Sequence, residues 1–457
     1  MDKKDLIELV IKPIEAKGGK AYFVGGCVRD QIMEIEPHDY DLVTDATPTE
    51  LHGIFKYFSE QKSESFGVSM PIVNGEIVEI ATMRKDMTKG RHPVIKFTKN
   101  IEEDSKRRDF TINAIYEDID GKLFDFNGGV KHIKNKQLSF VGNAADRVAE
   151  DPLRALRFVR FIAAKGLAPV IPEYEFEALI KLTNSDGFYA EVSKERILKE
   201  LIGVLGGKYF MTEGNLAIYY MQVFGILKLT GIEAIFKIMQ ETMQNPKWHS
   251  EGSVFKHTML VMKEMAKVEH DWIDMLSALL HDIGKPECAK EKIKKHETDA
   301  WYVTKLHDTV GAHLAEDFCK SLGMSNKDCI QVANIVLHHM DMHHLGEFKS
   351  KYKILKLMNN PDFDRLIKLC RCDTKGSICT EQDKYKTIDE ALEIHKDLIG
   401  VKMPAPIVTG HDLIESGCVP NPNFSKALDV AYKVQIDQDI TEKRILLSNV
   451  LNIAKGK

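Results

Sequence analysis

The feature that most constrains this chain lies near its N-terminus, in residues 22–47, which read YFVGGCVRDQIMEIEPHDYDLVTDAT. The apolar residues at its start predict a short buried strand, which Gly25 and Gly26 bring to an end. After a turn, a second predicted strand carries Asp39 and Asp41. Because side chains two positions apart on a strand point to the same face, we expect these two carboxylates to project together.

Two carboxylates held this close repel each other unless a cation lies between them. Mg²⁺ suits such a site, because it binds one or two carboxylates and takes its other ligands from water and substrate phosphates. Backbone amides at a glycine pair can approach a phosphate closely, and Arg29 adds a positive charge for the same triphosphate. Each piece alone is typical of a turn or a solvated strand end. Together they favour a nucleotidyl-transfer site.

The strings GGCVRD and HDYDLVT resemble the nucleotidyltransferase superfamily, specifically the family of class II tRNA nucleotidyltransferases and bacterial poly(A) polymerases. This resemblance implies an α+β fold for the head, similar to that of polymerase beta, followed by a helical neck, body and tail. It also implies the reaction: the 3′ hydroxyl of RNA attacks the α-phosphate of CTP or ATP, and pyrophosphate leaves. Asp39 and Asp41 would hold two Mg²⁺ ions, and the expected product is a tRNA that ends in CCA.

The composition argues against several other classes of protein. The 457-residue chain has a formal net charge of −5, so it lacks the overall basicity that would indicate a nucleic-acid partner. Its eight cysteines include no Cys-x-x-Cys pair, which indicates free thiols in a reducing cytoplasm. No apolar run approaches the length of a membrane span, so we expect no membrane association.

The chain is expected to fold in four parts. Residues 1–140 alternate strand-like and helix-like stretches, which indicates a mixed α+β catalytic head. From about residue 141 a helical periodicity takes over. We assign residues 141–245 to a neck that carries the nucleotide template and binds RNA, 246–400 to a metal-binding domain of HD type, and 401–457 to a helical tail that the resemblance assigns to tRNA binding. A monomer and a homodimer are both compatible with the sequence.

A predicted hairpin in residues 69–84, with a turn at Asn74 and Gly75, offers a third acidic residue. Glu79 lies on its second strand and either joins the two aspartates as a catalytic carboxylate or pairs with Arg84 at the surface. Both interpretations stay open.

A polar segment and a basic motif complete the predicted head. Residues 85–100, with Gly90 and Pro93, are expected to form a mobile loop, and in the resembling family such a loop closes over the site. The following string, RRDFTINA, is a signature of that family. There an Asp and a neighbouring Arg contact the ribose and phosphates of the nucleotide, a role that the resemblance assigns to Asp109 and Arg108. From the residues alone, Asp109 is equally well explained as a helix cap.

A predicted helix follows Asp151 and Pro152, and its apolar stripe comprises Leu153, Leu156, Val159, Ile162 and Ala163. Spacing alone favours a capped helix with a surface pair between Asp151 and Arg154. The string EDPLRALRFVRF, however, resembles the template motif of the family, in which an Asp and an Arg bind the Watson–Crick edge of the incoming base. The resemblance makes Asp151, Arg154 and Arg157 the template residues. We expect an ion pair between Glu195 and Arg196 to support this helix.

A second pattern of metal-ligand type begins near residue 250. An adjacent His and Asp on an apolar helix are costly to bury without partners, and a metal bound by imidazoles and carboxylates would satisfy them. The order and spacing resemble the HD phosphohydrolase superfamily, with a divalent transition metal such as Ni²⁺, Mn²⁺, Fe²⁺ or Zn²⁺. The predicted ligands are His257, His281, Asp282, His307, His338 or His339, and Asp373. The apolar phase favours His338 over His339. We expect His296, His343 and His344 to be surface or loop residues.

Several functions are compatible with these motifs. Bacterial poly(A) polymerases typically carry a basic and phenylalanine-containing run after the first motif, where this chain has ESFGVSMPIV. An enzyme that adds only A or only CC differs in loop details that the sequence does not reveal. A different class is a metal-dependent phosphohydrolase with an RNA-binding head. Both activities are also compatible with one chain, with the HD domain removing 2′,3′-cyclic or 3′-phosphate ends; a degenerate, purely structural HD domain is the alternative to that.

Overall fold

The computed structural model of this protein describes residues 1–59, 67–88, 94–211, 216–289, 293–296, 299–302, 304–378 and 388–456. They form two compact units, Met1–Glu233 and Ala234–Lys457. Strands are concentrated in the N-terminal half of the first unit, and helices make up most of the rest. The predicted order, an α+β head followed by a largely helical remainder, is therefore confirmed.

The strands are short, and most of them belong to the head. They are β1 (Ala21–Val24), β2 (Asp41–Thr44), β3 (Val68–Ser69), β4 (Ile72–Val73), β5 (Glu76–Ile77), β6 (Ile80–Thr82), β7 (Arg84–Asp86), β8 (Ile95–Phe97), β9 (Ile115–Glu117), β10 (Leu123–Asp125), β11 (Gln137–Leu138), β12 (Ala168–Pro169), β13 (Ile293–His296) and β14 (Asp299–Tyr302).

A six-stranded sheet in the order β10-β9-β1-β2-β6-β3 organises the head. Strands β2 and β6 are parallel, whereas the other neighbours are antiparallel. The register of β1 and β2 sets Val24 opposite Asp41, so the glycine turn that follows β1 lies beside the start of β2. Val43, Met83 and Tyr116 are buried together with Val24 on one face of the sheet. This packing holds the acidic end of β2 on a rigid support.

Two hairpins flank the sheet. The predicted turn at Asn74 and Gly75 is present, and both residues have a positive φ, as a tight hairpin turn requires. The predicted loop of residues 85–100 is only partly a loop, because β7 and β8 pair as an antiparallel hairpin on either side of it. Gly90 and Pro93, at its centre, lie outside the described residues. Strands β7 and β8 are joined by the hydrogen bonds of an antiparallel pair. The polar composition of the segment did not indicate these strands.

The helices of the first unit run around the sheet and then form the neck. They are α1 (Lys3–Leu6), α2 (Lys12–Ala16), α3 (Gly26–Ile32), α4 (Pro48–His52), α5 (Ile101–Ser105), α6 (Gly129–Lys134), α7 (Ala144–Glu150), α8 (Leu153–Lys165), α9 (Glu173–Thr183), α10 (Lys194–Leu205), α11 (Leu216–Val223), α12 (Ile226–Leu229) and α13 (Ile232–Glu241), which contains the boundary between the units. A π-helical turn (Ile7–Ile11) and a 3₁₀ turn (Thr111–Asn113) add to them.

Helix α8 is the centre of the neck. All five residues of its predicted apolar stripe are buried, and the helix packs on α10 and α11. At its C-terminus, Gly166 takes the left-handed conformation that commonly ends a helix. The predicted helix after Asp151 and Pro152 is thus confirmed.

The second unit is almost entirely helical. Its helices are α14 (Val254–Met265), α15 (Trp272–Leu280), α16 (Lys285–Cys288), α17 (His307–Ser321), α18 (Asn326–His343), α19 (Lys351–Met358), α20 (Phe363–Gly376), α21 (Ile388–Ile394), α22 (Gly410–Glu415), α23 (Asn423–Asp437) and α24 (Lys443–Ala454), with 3₁₀ turns at Leu345–Glu347 and Lys396–Leu398. Helix α14 packs on α20 and α17 packs on α18, while the last three helices share a small apolar core. No helix among the described residues combines the length and apolarity that crossing a membrane would require.

The cysteines agree with the expectation of free thiols. In the part of the chain that the structure describes, seven cysteines are present and none of the seven forms a disulfide. Cys379 lies outside the described residues.

Candidate functional sites

The glycine turn after β1 brings backbone close to an acidic side chain. Gly25 has φ +78°, a backbone conformation that residues other than glycine rarely adopt. A Cβ atom at Gly25 would lie 3.4 Å from Oδ2 of Asp41 and 3.7 Å from a guanidinium nitrogen of Arg108. Gly26 then begins helix α3. The turn, an acid and a base therefore meet at one end of the sheet.

The acidic residues of the head surround this point without forming a tight cluster. Asp41 is the first residue of β2, and Asp39 precedes the strand, so the prediction that one strand carries both is corrected. Burial raises the pKa of Asp41; Arg108 opposes this rise, and the charge of Asp39 adds to it. Burial and the charge of Asp41 also raise the pKa of Glu79. Glu79 thus lies in the field of Asp41, whereas Arg84 pairs with Asp86 at 3.3 Å.

Arg29 does not offer a free charge. Its side chain is only 10% exposed and forms an ion pair with Asp30 at 2.8 Å. The same guanidinium donates a hydrogen bond of 2.8 Å to Asn113 and lies 5.1 Å from the ring centre of Phe161. The structure therefore directs Arg29 into the contact between head and neck, which the sequence pattern did not reveal.

Arg108 and Asp109 diverge from each other. Arg108 donates a hydrogen bond of 2.9 Å to the Tyr116 hydroxyl, which in turn donates one of 2.7 Å to Asp104. Asp109 accepts hydrogen bonds from Asn113 at 3.0 Å and from Nε of Arg157 at 2.8 Å. Burial would raise the pKa of Asp109, but Arg157 outweighs that effect and lowers it. Asp109 therefore stays ionised and links the head to the neck helix α8.

The three predicted template residues lie near one another, each with a protein partner. Oδ1 of Asp151 accepts a hydrogen bond of 3.2 Å from the backbone N–H of Leu153, the first residue of α8, whose N-cap position is occupied by Pro152. Its Oδ2 accepts a hydrogen bond of 3.0 Å from Arg196. Arg154 donates to Glu150 at 2.8 Å rather than to Asp151.

These contacts correct two predicted ion pairs. The expected surface pair of Asp151 and Arg154 is absent, because each of them has the partner described above. The expected pair of Glu195 and Arg196 is also absent: Glu195 is exposed, and Arg196 contacts Asp151 instead. Arg196 nevertheless contacts the residue that precedes the start of α8, through the carboxylate of Asp151 rather than that of Glu195.

The second unit assembles a compact cluster of imidazoles around Asp282. His257 lies on α14, the pair His281 and Asp282 follows the end of α15, His307 begins α17, His339 lies on α18 and Asp373 lies on α20. Nε2 of His281 is 3.3 Å from Nε2 of His257, and Nε2 of His307 is 3.3 Å from Nε2 of His339. Two groups of ligand atoms, each spanning no more than 4.8 Å, share Asp282: one includes His257 and His281, the other His307 and His339.

Backbone carbonyls orient three of these rings. Nδ1 of His281, His307 and His339 lies 2.9, 2.9 and 2.6 Å from the carbonyl oxygens of Ala278, Thr304 and Val336. Because a carbonyl only accepts, Nδ1 must carry the proton. The lone pair is then on Nε2, which faces Asp282. Such an arrangement is typical of metal-binding histidines.

The prediction of His338 is corrected in favour of His339. His339 is 1% exposed, and its Nε2 lies 3.9 Å from Asp282. The side chain of His338 is 26% exposed and pairs with Asp341 at 2.8 Å. Neighbouring helical residues differ by about 100° in direction, so only one of the two can face the cluster. The pattern of apolar residues earlier in the helix did not decide which of the two histidines faces the cluster.

His343 is not the surface residue that the sequence suggested. Its Nε2 lies 2.7 Å from Oδ2 of Asp373, one turn after His339 on the same helix. His344 is half-exposed, with 45% of its side chain accessible, and lies beside Glu347. His296 ends strand β13, and its side chain is outside the described part of the chain.

The donor set fits a divalent metal. Asp282 is buried, and its Oδ2 makes no regular hydrogen bond, although the ammonium group of Lys285 lies 2.6 Å away. Burial would raise the pKa of Asp282, but His281 and Lys285 lower it well below its usual range. Burial, with the charges of His281 and His307 adding to it, lowers the pKa of His339 to about 3. An ionised carboxylate and neutral imidazoles are the ligand forms that transition metals bind.

A carboxylate that the sequence analysis did not consider adjoins this cluster. Glu251 lies in the segment before α14, and its Oε1 is 3.0 Å from Nδ1 of His257 and 2.8 Å from Nδ1 of His249. Burial would raise the pKa of Glu251, but the two histidines lower it to about 2. The nearby string HSEG contains a His and a Glu, which is too common a pair to have singled it out.

Comparison with known protein families matches both sites. The Poly A polymerase head domain matches residues 21–139, which contain the glycine turn, the head carboxylates and Asp109. The HD domain matches residues 254–373, from the start of α14 to Asp373. These domains define the class: a nucleotidyltransferase with an additional HD domain.

Curated relatives extend this match over most of the chain. A "Multifunctional CCA protein" of Psychromonas ingrahamii is 29% identical over 390 residues, which cover 80% of this chain and 88% of that protein. A "CCA-adding enzyme" of Oceanobacillus iheyensis is 34% identical over 58% of this chain and 64% of that protein. These matches confirm the resemblance to tRNA nucleotidyltransferases and poly(A) polymerases, and the prediction of a transferase is confirmed.

Solved structures support the fold. The crystal structure of the Bacillus stearothermophilus CCA-adding enzyme in complex with CTP covers all of this chain and of that chain, with a TM-score of 0.69 and 21% identity. A Thermotoga maritima CCA-adding enzyme complexed with tRNA covers 99% of this chain and 96% of that chain, with a TM-score of 0.52 and 18% identity. At these identities the likeness concerns the fold alone.

Proposed function

We propose that this protein adds CCA to the 3′ end of tRNA, using CTP and ATP. The observation that carries this proposal is the approach of the Gly25 turn to Asp41 and Arg108 within a Poly A polymerase head domain. The names of the curated relatives, which include a "CCA-adding enzyme", favour CCA over a poly(A) tail. The structures in complex with ATP, CTP and tRNA are of similar fold and favour the same substrates.

In this proposal the head carboxylates hold Mg²⁺ and the triphosphate lies against the glycine turn. Bound Mg²⁺ supplies activation of the 3′ hydroxyl and neutralisation of charge on the leaving pyrophosphate. Asp39 and Asp41 are the proposed ligands. Glu79 lies near enough for the charge of Asp41 to raise its pKa, so Glu79 is placed to assist them. Burial raises the pKa values of Asp41 and Glu79, and the charge of Asp39 adds to the rise at Asp41 as that of Asp41 does at Glu79. A divalent cation relieves that repulsion, which favours its binding here.

The residues of the neck would select the base. Arg154 carries donors only and Asp151 acceptors only, so the pair can match the complementary groups of C or A. Arg196 donates a hydrogen bond to Asp151, and Glu150 accepts one from Arg154. These contacts limit the two side chains to small rotations. Asp109, which the resemblance assigns to the ribose, is held in place by Arg157 and Asn113.

The test is nucleotide addition to defined RNA ends. Purified protein with Mg²⁺ is given tRNA that lacks its last three nucleotides, or that ends in C or CC, with CTP and ATP singly and together. We expect CCA to be completed and addition to stop there, as read by sequencing the 3′ ends. A long A tail would identify a poly(A) polymerase, addition of A to CC ends alone an A-adding enzyme, and addition limited to CC a CC-adding enzyme. No incorporation at all would leave the HD domain as the active site of the protein.

We also propose a metal-dependent phosphohydrolase in the HD domain. The observation that favours it is the pair of ligand groups that share Asp282. His257, His281, Asp282 and Asp373 would hold one divalent transition metal, and Asp282, His307 and His339 a second. The bound metal would supply Lewis-acid activation of a phosphate ester and of a water molecule. Lys285, beside Asp282, is positioned to balance negative charge.

This second activity is tested on RNA that ends in a 2′,3′-cyclic phosphate or a 3′-phosphate. Protein loaded with Mn²⁺ or Ni²⁺ is expected to open the ring or release phosphate, and His281→Ala is expected to abolish this without loss of nucleotide addition. If the loaded protein acts on neither end and His281→Ala leaves every activity unchanged, the hydrolase proposal fails.

A further inference from the structure

We propose that Glu251 is a positioning residue of the HD metal centre. It contacts Nδ1 of His257 and thereby connects this ring to the C-terminal end of α20, the helix that carries Asp373. The inference rests on the metal centre proposed above. Glu251 lies outside the residues that the HD domain match covers, and it comes from a segment without regular secondary structure.

The first observation is how Glu251 is buried. Its side chain is 2% exposed, and a carboxylate buried to this extent is costly unless polar groups surround it. Oε1 lies between two imidazoles, 2.8 Å from Nδ1 of His249 and 3.0 Å from Nδ1 of His257. Oε2 accepts a hydrogen bond of 3.0 Å from the backbone N–H of Ile378. Among the described residues, these contacts connect the carboxylate to His257 of the proposed metal centre, to His249 and to the segment after α20.

The second observation is that His257 lacks the support of the other histidines. Nδ1 of His281, His307 and His339 faces a backbone carbonyl, whereas Nδ1 of His257 faces no carbonyl within the described residues and makes no regular hydrogen bond. The carboxylate of Glu251 stands where the carbonyl stands for the other rings. An ionised carboxylate only accepts, so it retains the proton on Nδ1 and leaves Nε2 for a metal.

The third observation is a connection to Asp373. Ile378 follows α20, and its carbonyl oxygen accepts hydrogen bonds from the backbone N–H and the hydroxyl of Ser250, at 2.9 and 2.8 Å. With Glu251 on its N–H, Ile378 is held on both sides. One segment therefore fixes the ring of His257 and the helix end beyond Asp373.

Close packing of the two helices makes this connection effective. A Cβ atom at Gly376 would lie 2.8 Å from the backbone nitrogen of Val261, so α20 and α14 approach closely at the turn that follows His257 and Asp373. Nε2 of His257 lies 2.9 Å from Oδ1 of Asp373 across this contact. A small rotation of either helix would separate the two proposed ligands, and the contacts of Glu251 oppose such a rotation.

The test measures metal affinity, because stability alone would not distinguish a positioning role. Full-length protein carrying Asp39→Ala/Asp41→Ala, which removes the proposed head site, is titrated with Mn²⁺ against a chelating indicator. We expect Glu251→Gln to weaken Mn²⁺ binding about 10- to 100-fold, and Glu251→Asp to recover part of it. The matched control is Glu347→Gln, which removes an exposed carboxylate beside His344 and should leave affinity unchanged.

The outcomes separate this inference from the proposal on which it rests. If the protein binds no Mn²⁺ and His257→Ala changes nothing, the metal centre itself is absent. If His257→Ala loses Mn²⁺ while Glu251→Gln binds it as tightly as the parent protein, only the role of Glu251 is refuted. If Glu251→Gln lowers the thermal unfolding temperature of the metal-free protein and leaves affinity unchanged, Glu251 is structural and the inference is likewise overturned.

Discussion

The two acidic sites of this protein are constructed in different ways. In the head, Asp39 and Asp41 come from one short stretch, and with Glu79 they do not bring three ligand atoms within 4.8 Å of one another in the described part of the chain. In the HD domain, residues from four separate places along the chain form two groups that share Asp282, and the ligand atoms of each group lie within that distance. The first site has open positions, and the second offers a nearly complete set of protein ligands.

This difference follows from what each site would bind. A cation that arrives with a triphosphate needs room for phosphate oxygens and waters, so a sparse set of carboxylates suits it. A resident transition metal is better held by several imidazoles and a carboxylate whose orientations are fixed in advance. The raised pKa values of Asp41 and Glu79 and the lowered pKa values of Asp282 and His339 express the same contrast.

The largest effect is expected from a substitution that removes a ligand of the head site and leaves the HD site intact. We expect Asp41→Asn to reduce nucleotide incorporation by at least about 10³-fold, because the variant loses a carboxylate ligand where charge develops in the transition state. Mn²⁺ binding by the HD domain should not change. The matched control is Asp45→Asn at the other end of β2, where Asp45 accepts a hydrogen bond from the Lys20 backbone. Equal losses in both variants would contradict the role of Asp41.

The next effect separates two neighbouring histidines. We expect His339→Ala to weaken Mn²⁺ binding at least about 100-fold, because it removes a proposed ligand outright. His338→Ala should bind Mn²⁺ as the parent protein does, since it removes only a half-exposed partner of Asp341. Direct titration of both variants measures this difference. A loss confined to His338→Ala would restore the sequence-based assignment.

A pH titration sharpens the contrast within the HD cluster. Burial lowers the pKa of His257, but Asp373 and Glu251 outweigh it and raise the pKa to about 9, whereas that of His339 falls to about 3. In the metal-free fold, His257 thus contributes stability that is present below its ordinary pKa and is lost as pH rises through about 9. A metal must displace this proton, so affinity at the group with His257 should rise about tenfold per pH unit up to pH 9.

The group that contains His307 and His339 has no such proton to lose. Its affinity should change little between pH 6 and 9, and calorimetry in buffers of different ionisation enthalpy measures the protons released. Two binding steps of identical pH dependence would contradict this account.

The difference between local and long-range contacts explains which features could be predicted from the sequence. The glycine turn, the aspartates that follow it and the helix after Asp151 were predicted from local patterns, whereas the pairing of distant strands into one sheet was not. Partners across long distances were not predicted either: Arg29 turns into the neck, Arg196 bonds Asp151, and Glu251 supports His257 because tertiary packing brings them together. His339 was missed for a geometric reason, since one residue of helix rotation decides which histidine faces inward.

The smallest expected effect concerns Arg196 in the neck. Its pair with Asp151 is partly exposed, with side chains 31% and 26% accessible, so Arg196→Met should cost less than about 1 kcal/mol of stability. Its effect on specificity should be larger, because Arg196 occupies Oδ2 of Asp151, one of the acceptors that the proposed template presents to a base. We expect the ratio of CTP to ATP incorporation on a C end to change several-fold, with little change in the rate for the preferred nucleotide. Competition assays measure this ratio, and Glu195→Gln, on the exposed side of the same helix, is the control. An unchanged ratio in Arg196→Met would mean that the template pair is held by Glu150 and the helix alone.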